Sequence, residues 1–149
     1  MNSGGMNLST KTIDLRKARS LKHILLVGIE EEHRLLLAAL LQAEGHLVSV
    51  SCTKKEALRL LLYGDIDFVI VDHFAPELDG LSLLEEIKSQ MPDIPVLILS
   101  SQYEMEHYMT AMNLGALDYF SKPVDYTSVQ RIVNTHVTFG RNQPMNFMQ

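Results

Sequence analysis

Asp72 is the residue of this chain best placed to do chemistry. It follows an apolar, β-branched run at 68–71, which is the pattern of a strand buried on both faces. Pro76, Asp79 and Gly80 then predict a turn before a helical pattern begins. Ligands and reactive groups collect at the carboxyl ends of strands in open parallel sheets. We therefore expect Asp72 to lie in a functional site at that edge.

The segments around this run predict the elements that must position it. Strand patterns occupy 23–27, 46–50, 67–71, 95–99 and 117–121, and a helical pattern follows each of them. Such alternation predicts an α/β fold with a doubly wound, five-stranded parallel sheet in the flavodoxin-like order 2-1-3-4-5. Five positions would then converge at the carboxyl edge of the sheet: Gly28, Ile29, Asp72, Ser100 and Lys122.

Length and composition favour one globular domain. The chain has 149 residues, 46% of them apolar, and a net charge of -5. One cysteine, Cys52, excludes an internal disulfide. No apolar run approaches the roughly 20 residues that cross a bilayer, and no signal sequence follows Met1. We expect a cytoplasmic protein without a membrane contact.

Charge and composition divide the chain into three parts. A basic N-terminal arm, 1–22, carries a net charge of +4, whereas the remainder carries -9. A short amphipathic helix is predicted at 11–20, and the domain itself is predicted at 23–138. The segment 139–149 is nearly uncharged and is interpreted as a tail or linker. Because the body is acidic, we expect no direct nucleic-acid binding by this domain.

Two motifs carry a family resemblance. The segment 72–80 has the form Asp-x-x-x-Pro-x-x-Asp-Gly, and 115–123 reads Gly-Ala-Leu-Asp-Tyr-Phe-Ser-Lys-Pro. Both resemble bacterial response-regulator receiver domains, in which a phosphoryl group passes to an aspartate. The resemblance implies that Asp72 is the phosphoacceptor and that Ser100, Tyr119 and Lys122 are the phosphate-contact and switch residues.

The first strand departs from the family pattern. Receivers carry two acidic residues just after strand 1, and Gly28 and Ile29 stand at the corresponding positions. Mg²⁺ prefers carboxylate oxygens, and Ile29 offers no ligand. We therefore predict no cofactor and a standing ion pair between Asp72 and Lys122. The alternative is a Mg²⁺ site made by Asp72, Glu30 and a loop carbonyl near Phe74.

An atypical receiver of this kind would act mainly as a phosphorylation-independent protein-interaction module in signal transduction or transcriptional control. The resemblance implies a face made by helix 4, strand 5 and helix 5, through which a protein partner, an output domain or a second copy binds. The interface candidates on that face are Met105, Tyr108, Met109, Met112 and Tyr119. Helical spacing usually indicates core for such residues, but helix 4 cannot bury all of its sides.

Two other functions are open. An ordinary receiver would be phosphorylated at Asp72 by a histidine kinase with Mg²⁺, through transfer that the domain itself catalyses. A flavodoxin-like cofactor enzyme is disfavoured, because the loop after strand 1 has one glycine and three glutamates where a phosphate needs glycines or hydroxyls. The six histidines show no metal-ligand spacing, although His73 adjoins Asp72.

Overall fold

A computed structural model describes residues 22–73, 78–102 and 104–138. Strands and helices alternate throughout these residues. The strands are β1 (His23–Val27), β2 (Leu47–Ser51), β3 (Phe68–Asp72), β4 (Val96–Ser100) and β5 (Asp118–Ser121). The helices are α1 (Glu31–Ala43), α2 (Lys54–Tyr63), α3 (Gly80–Gln90), α4 (Met105–Asn113) and α5 (Tyr126–Thr138).

All five strands are parallel and lie in the order β2-β1-β3-β4-β5, as the sequence predicts. Strands β3 and β4 are buried along their whole length. One apolar cluster joins the sheet to α1 and α5, and a second joins it to α2, α3 and α4. The sheet is therefore covered on both faces, and only its edges and the strand ends remain for binding.

Local sequence signals account for several element ends. The side chain of Thr53 accepts a hydrogen bond from the backbone N–H of Glu56 at 3.1 Å and so caps the start of α2. Gly115 follows α4 with a φ of 103°, a conformation that few other residues adopt easily. Four strands differ from the predicted ranges by one residue at one or both ends, and His23–Val27 agrees.

Gly80 is needed because the first turn of α3 lies against the end of β3. A Cβ atom at this position would lie 2.7 Å from the Cα atom of His73. The side chain of Asp79 caps the helix by accepting from the N–H groups of Leu81 and Ser82. The Asp-Gly pair thus fixes how the chain leaves Asp72 and enters α3.

Strand β2 lies at the edge of the sheet, as the predicted strand order requires, and its valines are only partly buried. Val48 is half-buried, whereas Val50 is 44% exposed. Lys22, which we assigned to the N-terminal arm, already belongs to the fold. Its backbone N–H donates to Nδ1 of His46 at 3.2 Å, and its carbonyl accepts from the N–H of Leu47 at 3.0 Å.

Several predictions fall outside the described residues. These are the helix at 11–20, the tail at 139–149, and the loop positions Phe74 and Pro76. Within the part of the chain that the structure describes, no helix is both long and apolar enough to span a bilayer.

Candidate functional site

The carboxyl edge of the sheet brings three of the predicted site residues together. Asp72 is the last residue of β3, Ser100 is the last residue of β4, and Lys122 directly follows β5. The backbone N–H of Lys122 donates to the carbonyl of Ser100 at 2.7 Å. The peptide bond from Lys122 to Pro123 is cis. Parallel strand ends thus place one carboxylate, one hydroxyl and one ammonium group side by side.

Asp72 and Lys122 form the expected ion pair, with Lys122 Nζ donating to Oδ2 of Asp72. The Asp72 side chain is 4% exposed and that of Lys122 is 17% exposed. A carboxylate this deeply buried is costly without a partner charge. Lys122 therefore balances the charge of Asp72, and the pair carries no net charge.

The two positions after β1 supply no carboxylate. Gly28 has a φ of 74° and donates its N–H to the carbonyl of Ser51 at 2.9 Å. Ile29 is 4% exposed and belongs to the apolar cluster that includes Leu37 and Val129. The side chain at the second position is therefore part of the core.

Glu30 does not replace the missing ligands in this arrangement. Its side chain is 71% exposed, and its Oε1 atom lies 3.5 Å from Nδ1 of His33. Within the described residues, no group of three His, Cys, Asp or Glu side chains has the geometry of a metal site. Mg²⁺ binds through oxygen ligands in near-octahedral geometry. Of the groups that the Mg²⁺ alternative adds to Asp72, Glu30 lies beside His33, and the loop position Phe74 is outside the described residues.

The carbonyl of Gln102 connects two of the predicted switch residues. The hydroxyl of Ser100, which is fully buried, donates to this carbonyl at 2.6 Å. The hydroxyl of Tyr119 donates to the same oxygen at 3.3 Å. The Tyr119 ring also packs edge-to-face on Tyr108 of α4, with ring centroids 6.1 Å apart. One backbone oxygen thus holds both side chains in their present positions, a contact that sequence reasoning missed.

His73 and His107 link the site to α4, and this link was also missed. Their rings meet edge-to-face with centroids 5.1 Å apart. Burial of His73 lowers its pKa below the ordinary 6.5, and the neighbouring His107 lowers it further, while Asp79 and Asp72 oppose the shift. The adjacency of His73 to Asp72 was the one available signal in the sequence. No pattern in the sequence pointed to His107, which lies 34 positions further along the chain.

Tyr126, the first residue of α5, lies on the opposite flank of the site. Burial raises its pKa, and the negative charges of Glu30 and Asp72 raise it further. Its ring centroid lies 6.1 Å from that of His33. No pattern in the sequence singled out this residue.

Helix α4 has the outer apolar face that its composition suggested. Met105 is 60% exposed and Met109 is 55% exposed. Tyr108 and Met112 are half-buried and pack against the core. Tyr119 is only 3% exposed, so in this conformation it belongs to the core and offers no contact area, which corrects its place among the surface candidates.

Strand order, the acidic strand end and the lysine after β5 together define a receiver-type α/β domain. Residues 24–134 match the family model for the response regulator receiver domain. The match covers well over half of the chain, and the chain therefore belongs to this family.

Similar proteins agree with this assignment. The transcriptional regulatory protein ZraR of Escherichia coli (strain K12) is 36% identical over 107 residues, which cover 72% of this chain and 24% of that protein. An NtrX-like response regulator of Rickettsia bellii is 38% identical over 106 residues, which cover 70% of this chain and 22% of that protein. The chain thus spans about a quarter of the length of these relatives.

Solved structures show the same architecture. A response regulator receiver domain protein of Clostridium thermocellum superposes with a TM-score of 0.71 at 30% identity, covering 79% of this chain and 94% of that one. NtrX of Brucella abortus superposes with a TM-score of 0.76 at 27% identity, covering 87% of this chain and 30% of that one. The chain is thus a response-regulator receiver domain of two-component signalling.

Proposed function

We propose that this receiver domain works as a protein-interaction module whose output depends on binding and not on phosphorylation of Asp72. The observation that carries the proposal is the burial of Ile29, at 4% exposure, where a metal-binding carboxylate would be needed. Phosphoryl transfer relies on a cation to offset the charge that develops on the transferred group. Asp72 already has Lys122 as its counter-charge, and an apolar side chain occupies the neighbouring ligand position.

The partner face that we propose consists of α4, β5 and the start of α5. Met105 and Met109 supply exposed, adaptable apolar surface on α4. A groove at the end of β5 is lined in part by Phe120, Pro123 and Val124. Exposed apolar area next to a groove is typical of a protein-binding surface. The occupant would be an output domain or a separate regulatory protein.

We further propose that the cellular role is transcriptional control. ZraR is named a transcriptional regulatory protein, and its matched region is only 24% of its length. A receiver in such a protein transmits a signal to other parts of the molecule. For this chain, the same role would be carried out by contacts at the proposed partner face of α4, β5 and the start of α5, which we call the α4 face. No enzymatic activity toward another molecule is proposed.

A Mg²⁺ titration followed by NMR tests the proposal at the site itself. We expect no saturable shift of the amide signals of residues 28–30, 72, 100 and 122 at millimolar Mg²⁺, because Gly28 and Ile29 supply no carboxylate ligand after β1. Saturable shifts centred on Asp72 would instead favour an ordinary phosphoaccepting receiver. The matched control is the double variant Gly28→Asp/Ile29→Asp, in which we expect such shifts to appear.

A further inference from the structure

The edge strand β2, on the opposite side of the sheet from the α4 face, has an unusual composition for an exposed edge. It reads Leu-Val-Ser-Val-Ser and contains no charged residue and no proline. Within the described residues, β2 pairs with β1 alone. Proteins ordinarily protect such edges with lysine, proline, a bulge or a covering segment. The composition of β2 supplies neither lysine nor proline.

The backbone of β2 presents a regular outward row of hydrogen-bonding groups. Leu47 donates its N–H to the carbonyl of Lys22, and the carbonyl of Ser51 accepts from the N–H of Gly28. In the parallel ladder with β1, the alternate residues 47, 49 and 51 therefore face inward. The N–H and C=O groups of Val48 and Val50 face away from the sheet.

Exposed apolar side chains surround this row. Leu47 is 67% exposed and Val50 is 44% exposed, so β2 has an exposed apolar side chain on each face of the sheet. The two helices that pack against β2 contribute further exposed residues. These are Leu35 and Leu36 on α1, and Leu62 and Tyr63 on α2, with Tyr63 at 85% exposure. Both helices that flank β2 thus add exposed apolar residues near this edge.

The outward residues of β2 are symmetric about Ser49. If a second copy lies antiparallel with Ser49 opposite Ser49, each Val48 faces Val50 of the other copy. Both valines then exchange their backbone hydrogen bonds, and β-branched side chains stand opposite each other. No like charges meet along the strand, because β2 has none. A strand that is complementary to its own antiparallel copy satisfies the requirement of a two-fold dimer.

We propose that this chain self-associates through β2, forming a continuous ten-stranded sheet across a two-fold axis at Ser49, and that the occupant of the edge is a second copy of the chain. The dimer leaves the α4 face of each copy open, because α4 and β2 lie at opposite edges of the sheet. Self-association and partner binding can therefore occur together.

Amide hydrogen exchange on the full chain, measured by NMR over a range of protein concentrations, tests the proposal. We expect the amides of Val48 and Val50 to become at least about tenfold more protected as concentration rises, because they enter inter-copy hydrogen bonds. The amides of Leu47, Ser49 and Ser51 should be protected at every concentration, since they face β1. Sedimentation over the same range should show a monomer–dimer equilibrium.

Substitutions at Val50 give matched variants. Val50→Pro removes a backbone N–H that faces away from the sheet and leaves the hydrogen bonds between β2 and β1 in place. It should therefore abolish the dimer while the amides of Leu47, Ser49 and Ser51 stay protected. Val50→Thr keeps both the β-branch and the N–H and should retain the dimer. Met109→Lys, on the opposite edge, should also retain it.

Three results would overturn the proposal. One is a monomer at all concentrations, with fast exchange at Val48 and Val50. Another is protection of these two amides that does not depend on concentration, which would mean that another segment of the same chain covers the edge. The third is a dimer that Met109→Lys dissociates and Val50→Pro does not.

Discussion

At the scale of single residues, the site depends on the balance of charge between Asp72 and Lys122. In a receiver with three carboxylates and one lysine, a divalent cation is needed to neutralise the excess negative charge. Among the described residues, Asp72 is the carboxylate that pairs with the lysine, and 4% of its side chain is exposed. We propose that the ion pair takes over the balancing role of the cation, so that Asp72 and Lys122 each depend on the other for charge balance.

Removing Lys122 should show this dependence. We expect Lys122→Ala to lower the free energy of unfolding by about 2 kcal/mol, because Asp72 would remain buried without its counter-charge. The loss is smaller than in a fully buried pair, since Lys122 is 17% exposed. Adding Asp72→Asn should recover part of it, and urea denaturation of the four members of this double-mutant cycle measures the coupling. If the losses of unfolding free energy in the two single variants simply add in the double variant, the two side chains are not coupled and the account is contradicted. The exposed Lys55→Ala is the control.

His73 should make stability depend on pH. Burial and the nearby His107 hold its pKa below 6.5 in the folded protein, so below pH 6.5 the unfolded chain binds more protons at this residue. The stabilisation that comes from neutral His73 is complete above pH 6.5 and is lost as the pH falls through the lowered pKa of the folded state. We expect a shallower decline of unfolding free energy below pH 6.5 in His73→Asn than in the wild type. A folded-state NMR titration of His73 at or above 6.5 would contradict this prediction.

At the scale of elements, a polar network fastens α5 to the end of α1. Nε2 of His46, which is 4% exposed, lies 2.9 Å from Oδ1 of Asn134. The amide nitrogen of Asn134 donates to Glu44 at 2.7 Å, and that of Gln130 donates to the other oxygen of Glu44 at 3.0 Å. Since His46 also accepts from Lys22, the network fixes the entry to β1 and the packing of α5 together.

Asn134→Ala should weaken this connection. We expect a loss of about 1–2 kcal/mol in unfolding free energy, because the substitution removes the side-chain hydrogen bonds of Asn134 to His46 and to Glu44. Chemical denaturation measures the loss. Thr135→Ala, at an exposed position of the same helix, should change stability by less than about 0.5 kcal/mol. If the two substitutions change the unfolding free energy equally, the polar network does not contribute to stability.

The elements themselves were largely predictable from the sequence, because their signals are local. Apolar runs mark β3 and β4, Thr53 marks the start of α2, and glycines mark helix ends. The contacts that were missed join residues far apart in the chain. The shared carbonyl of Gln102, the ring contact of His73 with His107, and the burial of Tyr119 depend on how α4 packs against the sheet. Periodicity alone cannot supply that geometry.

At the scale of the whole molecule, the two sheet edges differ in character. The α4 and β5 side offers methionines and a groove for a protein partner, whereas β2 offers backbone groups and an uncharged strand. The carboxyl edge between them carries a site whose charges are already balanced. The domain therefore has the fold of a receiver, and we propose that its surfaces bind partners whether or not Asp72 is phosphorylated.

Intact-mass measurement after incubation with a small-molecule phosphodonor and Mg²⁺ tests this conclusion most directly. The account predicts that the wild-type chain keeps its unmodified mass, because Ile29 is buried where the cation needs an oxygen ligand and Lys122 occupies the Asp72 carboxylate. Stoichiometric formation of an acylphosphate, abolished by Asp72→Asn, would contradict it and would make the domain an ordinary phosphoaccepting receiver.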